Sequence, residues 1–467
     1  MLDTVIGAIN DALYSYILII LLIAGGIYFT IRTKFAQVRL LGAQFKAITE
    51  KPKDGRGVSS FQALMVSTAS RVGTGNIIGV STALCIGGFG SVFWMWLIAL
   101  IGGATALIES TLAQIYKKRG ENGSYGGPAY YIEAALGSRP LAVAFLVILV
   151  LTYAFGFNML ASYNLQSTFS GYAFYNTSYT PWIIGAVLAL LIGYCLLGGG
   201  KRIMKVTGVL VPIMGVIYIL VALLAVILNI TSLPSILATI FREAFDVKAI
   251  FGGFGGSCVM YGVKRGLFSN EAGVGSAPNA AAAADVSHPV KQGLVQMFSV
   301  FLDTLVICSA TAFMCMSSGV EPSEALAGAP YVQASLSALF GSFGPIFITA
   351  AMVLFAFTTL LGNLYYVDHA MVYILKKQPS KLFMTVFHVI CALVVLLGAG
   401  LSASLLWNLS DVLMGAMTII NIPVIIILGK YAFRAIKDFE AQRKKGLDPV
   451  FRAKDIDLPH KTDYWND

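Results

Sequence analysis

Arg71-Val72-Gly73-Thr74-Gly75-Asn76-Ile77-Ile78-Gly79-Val80-Ser81-Thr82-Ala83 returns 194 residues further on as Arg265-Gly266-Leu267-Phe268-Ser269-Asn270-Glu271-Ala272-Gly273-Val274-Gly275-Ser276-Ala277. Arg, Asn, Gly, Val and Ala coincide in place, and Thr82 meets Ser276. At the same offset Glu109 meets Asp303. Both stretches put glycines and polar side chains where an apolar helix should run unbroken. Paired interruptions in the two halves of a membrane chain point to a transport site.

Of the 467 residues, 57% are hydrophobic and 12% charged, more apolar surface than a water-soluble fold can hide. Candidate spans lie near 13–31, 60–88, 91–116, 140–165, 180–198, 205–228, 250–284, 291–318, 340–366, 382–400 and 404–430. The sequence therefore predicts an all-α polytopic membrane protein with 11 transmembrane helices. The second and seventh spans are too long and too glycine-rich for simple helices. The first apolar run lacks a basic flank, so no cleavable signal peptide is expected.

The net charge of +9 does not indicate nucleic acid, because topology accounts for it. Segments 32–59, 117–139, 198–206, 285–291, 368–381 and 430–467 hold 27 of the 32 Lys and Arg. The opposite loops hold only Arg242 and Lys248; Arg71, Lys264 and Arg265 stand beside the interruptions. This asymmetry places the N-terminus outside and the C-terminus in the cytoplasm, in the cell (inner) membrane.

The duplication extends further. Pro128 and Pro330 align at an offset of 202, and Leu196-Leu197-Gly198 aligns with Leu396-Leu397-Gly398 at 200. Residues 60–228 and 250–430 thus read as two five-span units. An odd number of spans per unit inserts the second upside down, which gives a five-plus-five inverted repeat with two broken helices. Residues 1–59 supply one extra span and an amphipathic segment. In it Phe35, Val38, Leu41, Phe45 and Ile48 recur at helical spacing, as in a helix lying on the membrane surface. Residues 431–467 read as a cytoplasmic tail without chemistry. The six cysteines show no metal-ligand spacing, and the four histidines form no cluster.

Unwound backbone is tolerated in a membrane only where it is buried in protein or lines a cavity. Gly73 and Gly75 allow close approach of a ligand. A broken helix bares amides, which suit a carboxylate, and carbonyls, which suit sodium or an ammonium group. A zwitterionic amino acid with a cation complements both. Close helix packing is the plainer role for such glycines, but the inverted copy favours a site. Asn76 and Asn270 could brace the breaks or touch the ligand; bracing is favoured for Asn270. Phe268, before Ser269, could cover the ligand or simply pack. Glu109 and Asp303 are intramembrane carboxylates whose natural partners are Arg71 and Arg265. Glu271 could cap amides or gate the cytoplasmic path. Thr358 and Thr359 could complete an oxygen shell around sodium.

These residues resemble the alanine/glycine:cation symporter family of bacteria and archaea. The likeness runs through Arg71–Val80, Gly87-Gly88, Phe93-Trp94-Met95-Trp96, Gly126-Gly127-Pro128-Ala129-Tyr130-Tyr131-Ile132, Lys264–Pro278, His288-Pro289, Gln292-Gly293 and Phe301-Leu302-Asp303-Thr304. The resemblance implies a leucine-transporter-type fold and sodium- or proton-driven uptake of small amino acids. It places the substrate at Gly73, Thr74, Gly75 and Asn76, with Ala161, Phe268, Ser269, Thr359 and Asn363 lining the rest. Sodium falls at Val72, Thr358 and Thr359. Arg71, Glu109, Arg265, Asn270, Glu271 and Asp303 are left with structural or gating roles. Two positions depart from the pattern: Ala161 stands where many members have Gln, and Asn363 where many have Trp. Both widen the choice of substrate toward serine or glutamine.

The expected function is sodium-coupled symport of a small neutral amino acid, with proton coupling as the alternative and a channel as the rival from another class. No enzyme motif is present, no cofactor is expected beyond the co-transported sodium ion, and the lipid bilayer is the expected partner. The sequence does not set the oligomeric state.

Overall fold

In the computed structural model the described residues are 2–52, 57–120, 123–246, 258–459 and 462–466. The start of the expected seventh span (250–257) and Lys248 lie outside them. Among the described residues eight helices are long and apolar enough to cross a membrane, and shorter apolar helices accompany them.

In chain order the helices begin with α1 (Asp3–Arg32), α2 (Leu41–Ile48) and α3 (Ser60–Arg71), which opens on a capping box between Ser59 and Gln62. There follow α4 (Gly75–Gly87) and α5 (Ser91–Ile115), a hairpin of β1 (Lys118–Gly120) and β2 (Gly123–Tyr125), and α6 (Pro128–Leu136). Next come α7 (Arg139–Ser167), α8 (Thr180–Leu196) and α9 (Gly199–Leu228). Helix α10 (Leu233–Ala244) lies in the connection that follows α9, where the sequence predicts no span; its Glu243 carboxylate accepts from the Phe89 amide at 2.8 Å. The second half holds α11 (Cys258–Asn270), α12 (Ala277–Ala283) and α13 (Pro289–Ser317). It ends with α14 (Ala329–Phe340), α15 (Phe343–Leu375), α16 (Lys381–Gly398) and α17 (Ala403–Lys444).

Both duplicated stretches interrupt a helix. Helix α3 stops at Arg71, and residues 72–73 are non-helical before the wide turns of α4. Helix α11 stops at Asn270, and residues 271–276 are irregular before α12. Gly273 and Gly275, both at φ +88, take backbone that only glycine adopts without strain. Gly275 also lies so close to Phe145 that a Cβ would sit 2.8 Å from the ring.

The helices sort by burial. In α5, α13 and α15 two-thirds of the most apolar window is buried, against 28% in α9 and 22% in α16. Two groups pack internally: α3, α5, α11, α12 and α13 in one, α7, α8, α15 and α16 in the other. Apolar side chains on the outer helices, such as Leu190, Leu220 and Leu382, remain exposed, as suits a surface facing lipid.

The amphipathic segment differs from a single helix. Residues 36–39 and α2 are separate turns, with Phe35 in left-handed backbone at φ +56. Phe35, Val38, Leu41 and Phe45 stay exposed, while Ala36, Leu40, Ala43 and Ala47 pack inward. The tail is not free either. Phe451, Ile456 and Trp465 are buried, and Trp465 Nε1 donates to the Gln114 carbonyl at the end of α5 (2.8 Å). The Lys117 ammonium lies 5.1 Å from the Trp465 ring centre, and Ser287 Oγ donates to the Pro449 carbonyl (2.8 Å).

Candidate transport site

The two breaks meet in the middle of the first helix group. Asn76 organises them. Its Oδ1 accepts from the Gly73 amide (2.8 Å), so the side chain caps its own break. Its Nδ2 donates to Asp303 Oδ1 (2.7 Å) and lies 2.9 Å from Ser269 Oγ in the second break. Asp303 also accepts from Ser269 Oγ (2.6 Å) and Thr304 Oγ1 (2.8 Å). Cys308 Sγ completes this buried cluster, 3.1 Å from Ser269 Oγ. Asn270, at the second break, accepts from the Ala272 amide through its Oδ1 (3.0 Å).

The expected charge pairing is corrected. Arg265 does not pair with Asp303; its Nη2 contacts Asp411 Oδ2 on α17 at 2.6 Å, and Lys264 contacts the same oxygen at 3.2 Å. Arg71 donates to the Gln296 carbonyl (3.3 Å) and Oε1 (3.2 Å) instead of forming a close ion pair with Glu109. Its guanidinium still acts through space on Glu109, Glu271 and Asp303, all fully buried. Glu109 holds the second break, accepting from the Gly273 amide (3.3 Å) and Asn421 Nδ2 (2.9 Å). Asn421 also donates to the Gly273 carbonyl (3.0 Å). The last span supplies the partners instead, since α17 carries Asp411 and Asn421 to the second break.

The residues expected to touch substrate gather at the first break, with one difference. A Cβ on Gly73 would run into Thr359 Oγ1, and one on Gly75 would sit 2.7 Å from the Phe268 ring. Thr74 Oγ1 accepts from Asn164 Nδ2 (3.1 Å), one turn beyond Ala161 on α7. Thr359 Oγ1 and Asn164 Oδ1 are buried and have no hydrogen-bond partner among the described residues. Asn363 is otherwise engaged: its Oδ1 accepts from Ser70 Oγ (2.6 Å) and its Nδ2 donates to Asn158 Oδ1 (2.9 Å). Of the expected sodium ligands, Thr359 lies against the break. Thr358 points elsewhere, donating to the Leu354 carbonyl (2.9 Å) and facing Met214 on α9.

On one side the breaks are closed by aromatic rings. Phe268 packs against Phe157 (4.8 Å) and Trp407 (4.9 Å), and the Arg265 guanidinium covers Trp407 at 4.2 Å. On the other side a cavity of about 890 Å³ opens between the start of α3, β2, the start of α9 and the end of α15.

Sequence reading missed Asp411, Trp407, Asn421 and Asn164. Asp411 was within its reach, since it is a carboxylate inside the apolar run 404–430, where the cost argument applied to Glu109 and Asp303 holds equally.

Comparison with known proteins decides the family. The sodium:alanine symporter family profile matches residues 1–453. The chain belongs to the sodium:alanine symporter family. As a member it is a secondary active amino-acid transporter and not an enzyme. It is 43% identical over 459 residues to "Probable sodium/glutamine symporter GlnT" of Bacillus subtilis, covering 98% of this chain and 94% of that one. It is 41% identical over 465 residues to "Amino-acid carrier protein AlsT" of the same organism, covering 100% and 98%. To "Sodium/alanine symporter AgcS" of Methanococcus maripaludis it is 38% identical, covering 94% and 98%. The crystal structure of MhsT in complex with L-phenylalanine superposes with a TM-score of 0.59 at 18% identity, covering 83% of this chain and 93% of that one. This symporter therefore shares the fold of MhsT.

Proposed function

We propose that this symporter carries a small neutral amino acid into the cell together with sodium, by alternating access around the paired breaks. The observation that carries the reading is the first break. There Gly73 and Gly75 present no side chain, and Thr359 Oγ1 and Asn164 Oδ1 stand buried beside it without partners among the described residues. A buried polar atom without a partner is costly, and a zwitterion or a sodium ion would satisfy it.

The substrate carboxylate meets the first break at Thr74 and Gly75, because the Gly73 amide is held by Asn76 Oδ1 and the Asn76 amide by the Gly73 carbonyl, and Val72 and Thr359 supply oxygens to sodium. Ala161 and Phe268 bound the substrate side chain. Relatives are named for alanine and for glutamine, and the small Ala161 leaves room for either. The eleven-span, five-plus-five inverted repeat is part of this reading. It is supported by the break in each half and by the matching positions of α6 and α14, which carry Pro128 and Pro330 in their first turns. So is the orientation, with the N-terminus outside. The aromatic closure then seals the outer side, and the large cavity is the cytoplasmic mouth.

Uptake of labelled alanine, serine and glutamine into proteoliposomes tests the proposal. Saturable accumulation driven by an inward sodium gradient is expected. Uptake indifferent to sodium but collapsed by an uncoupler would establish proton drive instead, and flux without saturation would establish a channel.

A further inference from the structure

Helix α15 against α3 is the broadest direct contact between the two helix groups among the described residues. Gly362 makes it possible: a Cβ there would lie 2.6 Å from the Ser70 backbone nitrogen. That approach brings Asn363 onto Ser70. The resulting chain runs from Ser70 Oγ on α3 to Asn363 on α15 (2.6 Å) and on to Asn158 on α7 (2.9 Å). All three side chains are buried.

Ser70 Oγ has a second acceptor within reach. Glu271 Oε1, in the second break, lies 3.4 Å away. Glu271 itself is held in left-handed backbone at φ +53, and its other oxygen accepts from Ser276 Oγ at 2.5 Å. A hydroxyl carries one proton, so Ser70 donates fully to only one of the two acceptors at a time. One acceptor belongs to the opposite helix group and the other to its own. If the groups part, the Ser70 hydroxyl keeps its proton and turns its hydrogen bond from Asn363 to Glu271, so this buried donor is not stranded and the cost of parting stays low. Ser70 also adjoins Arg71-Val72-Gly73, so the hydroxyl moves with the first break.

We propose that Ser70, Asn158 and Asn363 are positioning residues for transport. They form a latch that holds the first break against the α7–α15 group, and Glu271 receives the Ser70 hydroxyl when the latch opens. This reading rests on the proposed alternating access. It makes Asn363 a member of the latch and not a ligand of the substrate side chain.

The test uses Asn158→Leu, Asn363→Leu, the double variant, Ser70→Ala and Ser70→Thr in proteoliposomes, each with and without Met204→Cys in the large cavity. Each latch-breaking variant is expected to change the maximal uptake rate about fivefold or more, with the rank order of amino-acid affinities unchanged. The double variant should match the single ones, Ser70→Thr should restore the wild-type rate, and alkylation of Cys at position 204 should speed up when the latch is broken. A changed substrate order in Asn363→Leu alone, additive losses in the double variant, or unchanged alkylation would overturn the latch. If the Leu variants do not fold, the comparison of Ser70→Ala with Ser70→Thr decides by the same readouts. Failure of the symporter reading looks different, because wild type itself would then show no sodium-driven uptake.

Discussion

At the scale of single residues, the first break depends on the absence of one methyl group. Gly73→Ala would drive a Cβ into the Thr359 hydroxyl, whereas Gly208→Ala on α9 would meet nothing within 4 Å. The first substitution is expected to abolish sodium-driven uptake. The second should leave it unchanged; uptake at equal amounts of protein in the vesicle checks both. Asp303 makes a second residue-scale prediction. Its carboxylate accepts from Asn76, Ser269 and Thr304. Asp303→Asn keeps the shape but replaces an acceptor with a donor and removes the charge. It should cost about 1–3 kcal/mol of stability and weaken the sodium dependence of uptake; a titration of rate against sodium concentration measures it. Asn76 shows what residue patterns convey. Its repeat at position 270 marked both as special, but only the folded chain reveals that Asn76 spans both breaks while Asn270 caps its own.

Elements bring in partners that local sequence does not show. Arg71 and Arg265 stand beside the two breaks, so they are the natural partners expected for the buried carboxylates Glu109 and Asp303. The partner of Arg265 is Asp411, which α17 delivers from 146 residues away. Removing that carboxylate strands Lys264 and Arg265 in a buried place. Asp411→Asn is therefore expected to cost about 3–5 kcal/mol, seen as a lower melting temperature of the solubilised protein. The ends of α13 and α17 are joined by a pH-sensitive contact. His288 Nδ1 accepts from the Val290 amide (3.2 Å), so Nε2 carries the proton and donates to Asp438 Oδ2 (3.2 Å). Burial pushes the His288 pKa below its ordinary value of 6.5, and the hydrogen bond from His288 holds Asp438 below the usual carboxylate range. With the folded pKa of His288 below the unfolded one, the unfolded chain binds the extra proton first. Stability is thus complete above pH 6.5 and declines as the pH falls below it, with Asp438 adding its loss at lower pH still. Melting curves at pH 8 and pH 5.5 should separate in wild type and draw together in His288→Gln; equal separation in both would refute this account. The turns of α10 and the break between residues 36–39 and α2 were not legible beforehand, because short amphipathic segments carry too few residues for a firm period.

Across the whole molecule, the composition and the doubled motif fixed the class of fold, because an apolar chain in lipid has few ways to satisfy its backbone. The tail escaped that reading. Its polar and charged residues look solvated, yet Trp465 and Phe451 are buried against the segments that precede α6 and α13, and Ile456 is buried with its carbonyl held by Arg434 on α17. Two cations reinforce the contact: Lys118 meets Asp463 at 2.9 Å and the Arg119 guanidinium covers Tyr464 at 4.8 Å. Trp465→Ala is expected to lower the melting temperature and to increase proteolytic cleavage within residues 445–459, while sodium-driven uptake persists at reduced rate. Mass spectrometry of the cleaved products locates the effect.

The seat of Trp465 is assembled from Gln114 and Lys117, and that of Pro449 and Phe451 from the stretch around Ser287. A ribosome releases those receptors long before it reaches their occupant. During synthesis the helices must settle in the bilayer with this face uncovered, and the stretch from Pro449 to Trp465 closes it afterwards. Proteases that inspect this face would thus find an exposed grip on a chain that stops before Trp465 and none once that residue is seated.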